Sequence, residues 1–226
     1  VSVMPGKWAS FKRFVSRVWA LSKPYFSSDE KWKARALLAA IVAVPFLILA
    51  AVDRGAASIV GASVFAATMV LLYFTSMLYH ALPAGRAKRV FLKLDHGAIY
   101  IFIAGSYTPF TLGALAGPWG WTLFGLVWAL AVTGVVLKAT NRIKHPHLST
   151  GLYLLMGWLV VIAIKPLMDS MPAAGMAWLV AGGLAYTTGV VFFAADSRWR
   201  YGHFVWHLFV MAGTACHFVA VYAYAA

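Results

Sequence analysis

His203 and His207 stand four residues apart in one apolar run. On a helix both rings lie on one face, a turn apart, and two imidazoles so placed can share one metal ion. His80 closes a second apolar run, with Ser76 one turn before it on the same face, and Asp95 opens a third. Three neutral imidazoles with an open fourth position are a known arrangement for catalytic zinc, and an imidazole-rich set favours zinc among the common divalent ions. Asp95 is suited to orienting a ligand or holding a water beside the metal. Taken singly, each histidine also reads as a hydrogen-bonded packing residue.

The elements that must carry these groups are membrane helices. The 226 residues are 62% hydrophobic and 11% charged, with a mean hydropathy of +0.80. Soluble domains carry roughly 45–50% apolar and about 25% charged residues. The sequence predicts an all-α integral membrane bundle of seven spans, with cores near 36–52, 56–82, 98–115, 121–137, 152–168, 173–195 and 204–226. Each approaches the ~20 residues that a spanning helix needs. The breaks carry turn residues: Asp53 to Gly55, Pro83 to Gly85, Gly117-Pro118, Asn141 to His147, Pro172, and Asp196 to Gly202. The four cations Arg86, Lys88, Arg89 and Lys93 read as part of the second break. Residues 1–35 read as a basic N-terminal segment, partly an amphipathic interfacial helix, ahead of a transmembrane domain at 36–226. No cleavable signal peptide is expected, and the single Cys216 excludes an intrachain disulfide.

The net charge of +13 points to membrane orientation rather than to nucleic acid. Of the 19 Lys and Arg, all but Arg54 and Lys165 fall before the first run or in the second, fourth and sixth breaks. The positive-inside rule then places the N-terminus in the cytoplasm and the C-terminus outside. That result requires an odd number of spans. It also brings His80, Asp95, His203 and His207 to one depth, at the cytoplasmic side. Ionisable groups at that level are costly unless something uses them, which favours a metal over scattered packing roles.

Other residues read differently. His217 lies ten residues beyond His207, about 15 Å along a helix, so it can line a cavity but not share the ion. His96 points about 100° away from Asp95, which suggests packing. His145 and His147 flank Pro146 and read as solvated. Lys165 and Asp169 are spaced for a local ion pair. The last run has no lysine, which excludes a retinal Schiff base there. In Gly105-Ser106-Tyr107-Thr108-Pro109 the proline either bends the helix to open a crevice or serves packing.

In combination, Ser76 to His80, Leu94-Asp95-His96, Gly105 to Pro109, Met156-Gly157-Trp158-Leu159 and His203, His207, His217 resemble the haemolysin III family. That family is the bacterial branch of the progestin and adiponectin receptor superfamily. The resemblance runs from about Ser76 to the end. It implies seven helices, a Zn2+ held by His80, His203 and His207, roles beside the metal for Ser76 and Asp95, and a multi-pass place in a bacterial plasma membrane. One departure stands out: many bacterial members carry Thr-His-Gly near the start of the first helix, where this chain reads Asp29-Glu30-Lys31-Trp32-Lys33-Ala34-Arg35. The function expected is hydrolysis of a lipid amide or ester at the cytoplasmic leaflet, ceramidase-like by analogy with the related receptors. The metal would be catalytic, with Asp95 and Ser76 assisting and membrane lipids as partners. The alternative is a membrane-state sensor with a structural zinc. A pore or transporter is the less favoured reading, because a transport path needs polar groups through the full depth.

Overall fold

The computed structural model describes residues 31–143, 145–195, 198–199 and 201–225. The amphipathic helix expected in residues 1–35 falls almost wholly outside them. The described residues form eight α-helices and one 3-10 segment, with no strand. They are α1 (Lys31–Val52), α2 (Ala56–Ala81), α3 (Arg86–Leu112), α4 (Pro118–Ala139), α5 (Pro146–Trp158), α6 (Ile164–Ser170), α7 (Ala173–Ala194) and α8 (Gly202–Tyr224). The 3-10 segment Leu159–Ala163 joins α5 to α6.

Six stretches among the described residues are long and apolar enough to cross a membrane: α1, α2, α4, the composite 147–170, α7 and α8. This is a multi-pass membrane protein. The sequence predicts seven spans, and the helix that fails the apolar criterion is α3. It has 27 residues, but its buried positions include Asp95, Gly97, Gly105, Ser106, Thr108 and Thr111. The reason is its place. α3 packs between α2 and α4, so its polar groups face other helices and it needs little apolar surface. The four cations expected in the break ahead of it lie within the helix, because the connection spans only Leu82 to Gly85 and α3 starts at Arg86.

Helices in a bilayer gain little from burying apolar surface against one another, so close van der Waals contact must hold them. Small residues provide it. A Cβ on Gly61 would lie 2.7 Å from the Cα of Pro109, so α2 and α3 meet backbone to backbone there. Gly105 seats Thr68 in the same interface, and Gly134 of α4 lies against the ring of Tyr100. Pro109 thus serves packing, and α3 continues through it to Leu112. The Ser106 and Thr108 hydroxyls donate to the Ile103 and Ala104 carbonyls at 2.8 and 2.9 Å. Gly55 and Gly117, at φ of 101° and 113°, make the turns into α2 and α4 where a side chain would be strained.

The stretch 147–170 is broken rather than continuous. Tyr107 of α3 fills the break: its hydroxyl lies 2.9 and 2.7 Å from the Met156 and Gly157 carbonyls and accepts from the Val160 N–H at 2.9 Å. One buried phenol therefore meets backbone groups at the change from α to 3-10, where the Met156 carbonyl also accepts from the Leu159 N–H. Between this broken span and α2, α3, α7 and α8 lies a cavity of about 460 Å3.

Candidate metal centre and its cavity

His80 lies in the last turn of α2, and His203 and His207 occupy the first two turns of α8. The i, i+4 spacing and the crossing of α2 against α8 bring all three rings together. His203 Nε2 lies 3.3 Å from His80 Nε2 and 3.1 Å from His207 Nε2. One ligand atom from each lies within 4.8 Å of the others. A tetrahedral ion with nitrogen ligands at ~2.0–2.1 Å has ligand–ligand edges of about 3.3 Å. The two short Nε2 separations match such an edge, and the donor set is the imidazole type that zinc accepts. The residues therefore fit a metal ion of this kind.

Asp95 lies nine residues into α3 and is buried. Ser76 lies beside it on α2. Ser76, His80, Asp95, His203 and His207 all line the cavity. The structure thus brings together all five residues singled out in the sequence. Away from the histidines the walls turn apolar, through Ile103, Phe110 and Leu179 to Leu115, Leu167 and Met176 at the far end of the bundle. His217 lines this deeper part as expected, against Tyr186 with ring centroids 5.3 Å apart and Nε2 3.4 Å from the Leu179 carbonyl. His145 and His147 are exposed, away from the cavity. Lys165 pairs with Asp169 at 3.2 Å on the surface.

Two features were missed by sequence reasoning. The start of α1, read as a basic prelude, closes over the histidines. Trp32 meets His207 and Phe204 edge to face at centroid distances of 5.3 and 5.4 Å. Lys33 is buried, 6% exposed, within electrostatic reach of His80, His207 and Asp95. The only signal in the sequence is indirect: this is where the Thr-His-Gly of many relatives is replaced. The second miss is a polar cluster elsewhere in the cavity. His96, read as a packing residue, and Lys138, read only as an orienting cation, both line its wall together with Ser149 and Tyr153.

Comparison with known proteins gives the family. A family model described as haemolysin-III related matches residues 34–218. The chain is 39% identical over 191 residues to a protein of Bacillus cereus named hemolysin-3, covering 83% of this chain and 87% of that one. It is 42% identical over 192 residues to a hemolysin-3 homolog of Bacillus subtilis (strain 168), covering 83% and 88%. It is also 30% identical over 162 residues to the human monocyte to macrophage differentiation factor, covering 68% and 65%. With a match spanning four of the six apolar stretches completely and most of the first and last, together with the histidines that meet between α2 and α8, the chain belongs to the haemolysin-III-related family.

Proposed function

We propose that the protein is a zinc-dependent hydrolase of a lipid amide or ester, working from the cytoplasmic leaflet of a bacterial plasma membrane. The observation that carries this reading is the convergence of three Nε2 atoms on the wall of a largely apolar cavity that also holds a buried carboxylate. His80, His203 and His207 would hold the ion. Bound there, zinc would supply a Lewis acid for the acyl carbonyl and an activated water. Asp95 would take a proton from a water adding to the acyl carbonyl carbon and return it to the leaving nitrogen or oxygen as the acyl bond breaks. The products are a carboxylic acid, which passes its proton to the released amine or to bulk water, and an amine or alcohol. Ser76 stands beside the Asp95 carboxylate, where it would help to orient it. The apolar walls take the acyl chain and keep bulk water away.

The topology proposed with this activity has seven spans, α3 being the seventh, with the N-terminus cytoplasmic and the C-terminus outside. Support comes from the cation distribution and from the length of α3, about 40 Å at ~1.5 Å per residue. The test is turnover. Purified protein is incubated with ceramides, other N-acyl lipids and acyl esters, with and without a chelator. Metal-dependent release of fatty acid is expected; none on any of these lipids sinks the hydrolase.

A second reading keeps the metal and drops the turnover. The ion would join α2 to α8, which touch little elsewhere, so it could staple a sensor of membrane state. Chelation would then lower the melting temperature while no substrate is ever turned over. The haemolytic pore suggested by the relatives' names is disfavoured, because His217 stands nearly alone as an ionisable group in the deeper cavity.

A further inference from the structure

The cavity wall also carries, on α3, α4 and α5, a second set of polar groups that neither the metal nor the proposed hydrolysis uses. Lys138 stands in the last turn of α4 and lines the cavity. Its Nζ donates to Ser149 Oγ at 3.2 Å, and Ser149 is only 3% exposed. Among the described residues no carboxylate lies within ion-pair distance of Lys138; the pairing recorded there is Lys165 with Asp169. A cation half-buried beside a low-dielectric cavity without a counter-ion is an expensive arrangement.

The neighbours of Lys138 add polar atoms with hydrogen-bonding capacity left over. His96 of α3 lies close enough to sense the lysine's charge, and its Nδ1 is buried with no hydrogen-bond partner. Ser149 accepts from the lysine and keeps its own proton to give. Tyr153 also faces the cavity, but its hydroxyl is committed to the His96 carbonyl at 2.9 Å. Tyr100 is 1% exposed, and its hydroxyl lies beside Ser149 and Tyr153 without completing a hydrogen bond to either. Three helices thus bring one charge, the Ser149 hydroxyl and the unpartnered His96 Nδ1 to one wall, with no carboxylate within ion-pair distance of Lys138 among the described residues.

We infer that Lys138, Ser149 and His96 form an oxyanion subsite that holds the negatively charged headgroup of an acyl lipid while its chain lies in the apolar cavity. The inference rests on the lipid-binding part of the reading above and not on the metal or the hydrolysis. It narrows the substrate class to lipids bearing a carboxylate or phosphate. A lipid source is favoured over a free anion because the same cavity continues past this wall into apolar surface suited to a chain.

Trp158 and Trp206 line the cavity, so a brominated chain entering it quenches intrinsic fluorescence. The full-length protein in nanodiscs is titrated with dibromostearate and with its neutral amide, dibromostearamide. Wild type should bind the carboxylate about tenfold more tightly than the amide, as a charge-assisted contact allows. Lys138→Gln should reduce that preference to within about twofold while the amide still quenches, which also shows that the variant has folded. Lys138→Arg should keep most of the preference, and Ser149→Ala should lower it several-fold. His207→Ala, which strips the metal centre, should leave it intact. Equal affinity for the two probes in wild type overturns the subsite. So does a preference that survives Lys138→Gln but disappears in His207→Ala, since the anion would then sit at the histidines. Displacement of dibromostearate by millimolar inorganic phosphate would overturn the assignment to a lipid.

Discussion

Asp95 is the residue whose replacement separates chemistry from metal binding most cleanly. It is buried, beside Ser76, and outside the three-histidine set. Asp95→Asn keeps the shape and loses the base, so turnover should fall about 10²- to 10⁴-fold while metal content stays near that of wild type. An unchanged rate would remove Asp95 from the reaction. The histidines and Asp95 were legible in the sequence because periodicity and topology alone place them at one depth. Lys33, His96 and Lys138 were not. Their meaning depends on which neighbours cross beside them, and a lysine near a span end reads equally well as an orienting charge.

At the scale of the elements, two motifs that look separate in the sequence prove to be one device. Tyr107 comes from the Gly105 to Pro109 segment, and its hydroxyl serves the backbone at Met156 to Val160. Tyr107→Phe keeps the ring and leaves a buried N–H and a carbonyl unpaired, so it should cost roughly 1–3 kcal/mol. Thermal unfolding in detergent would record it; an unchanged midpoint would mean the 3-10 segment satisfies itself. Gly134→Val would push into the ring of Tyr100 and should cost a similar ~1–3 kcal/mol by overpacking. A midpoint matching wild type would show that α3 and α4 can move apart there. Helix existence was legible from apolar run length and Gly/Pro punctuation. The early start of α3 was not, because Arg86, Lys88, Arg89 and Lys93 look like loop residues by composition yet form ordinary helix. The break in the stretch 147–170 was equally hidden, since Trp158 to Ile164 contains no proline or glycine to announce it.

For the whole molecule, the arrangement is a membrane bundle with its ionisable groups gathered at one end of an apolar cavity. The cation distribution supports the proposed cytoplasmic N-terminus. In a Cys216→Ser background, Arg54→Cys should react with an impermeant maleimide added outside cells, and Arg86→Cys only after permeabilisation. The reverse pattern would invert the topology and move the site to the other leaflet. The central claim is that His80, His203 and His207 hold a zinc ion. Metal content per chain, measured by mass spectrometry on the detergent-purified protein and on its His207→Ala variant, tests it most directly. The account predicts about one zinc per chain in wild type and little in the variant. Wild-type protein prepared without chelators and carrying no metal, or a variant that keeps its zinc, would contradict it.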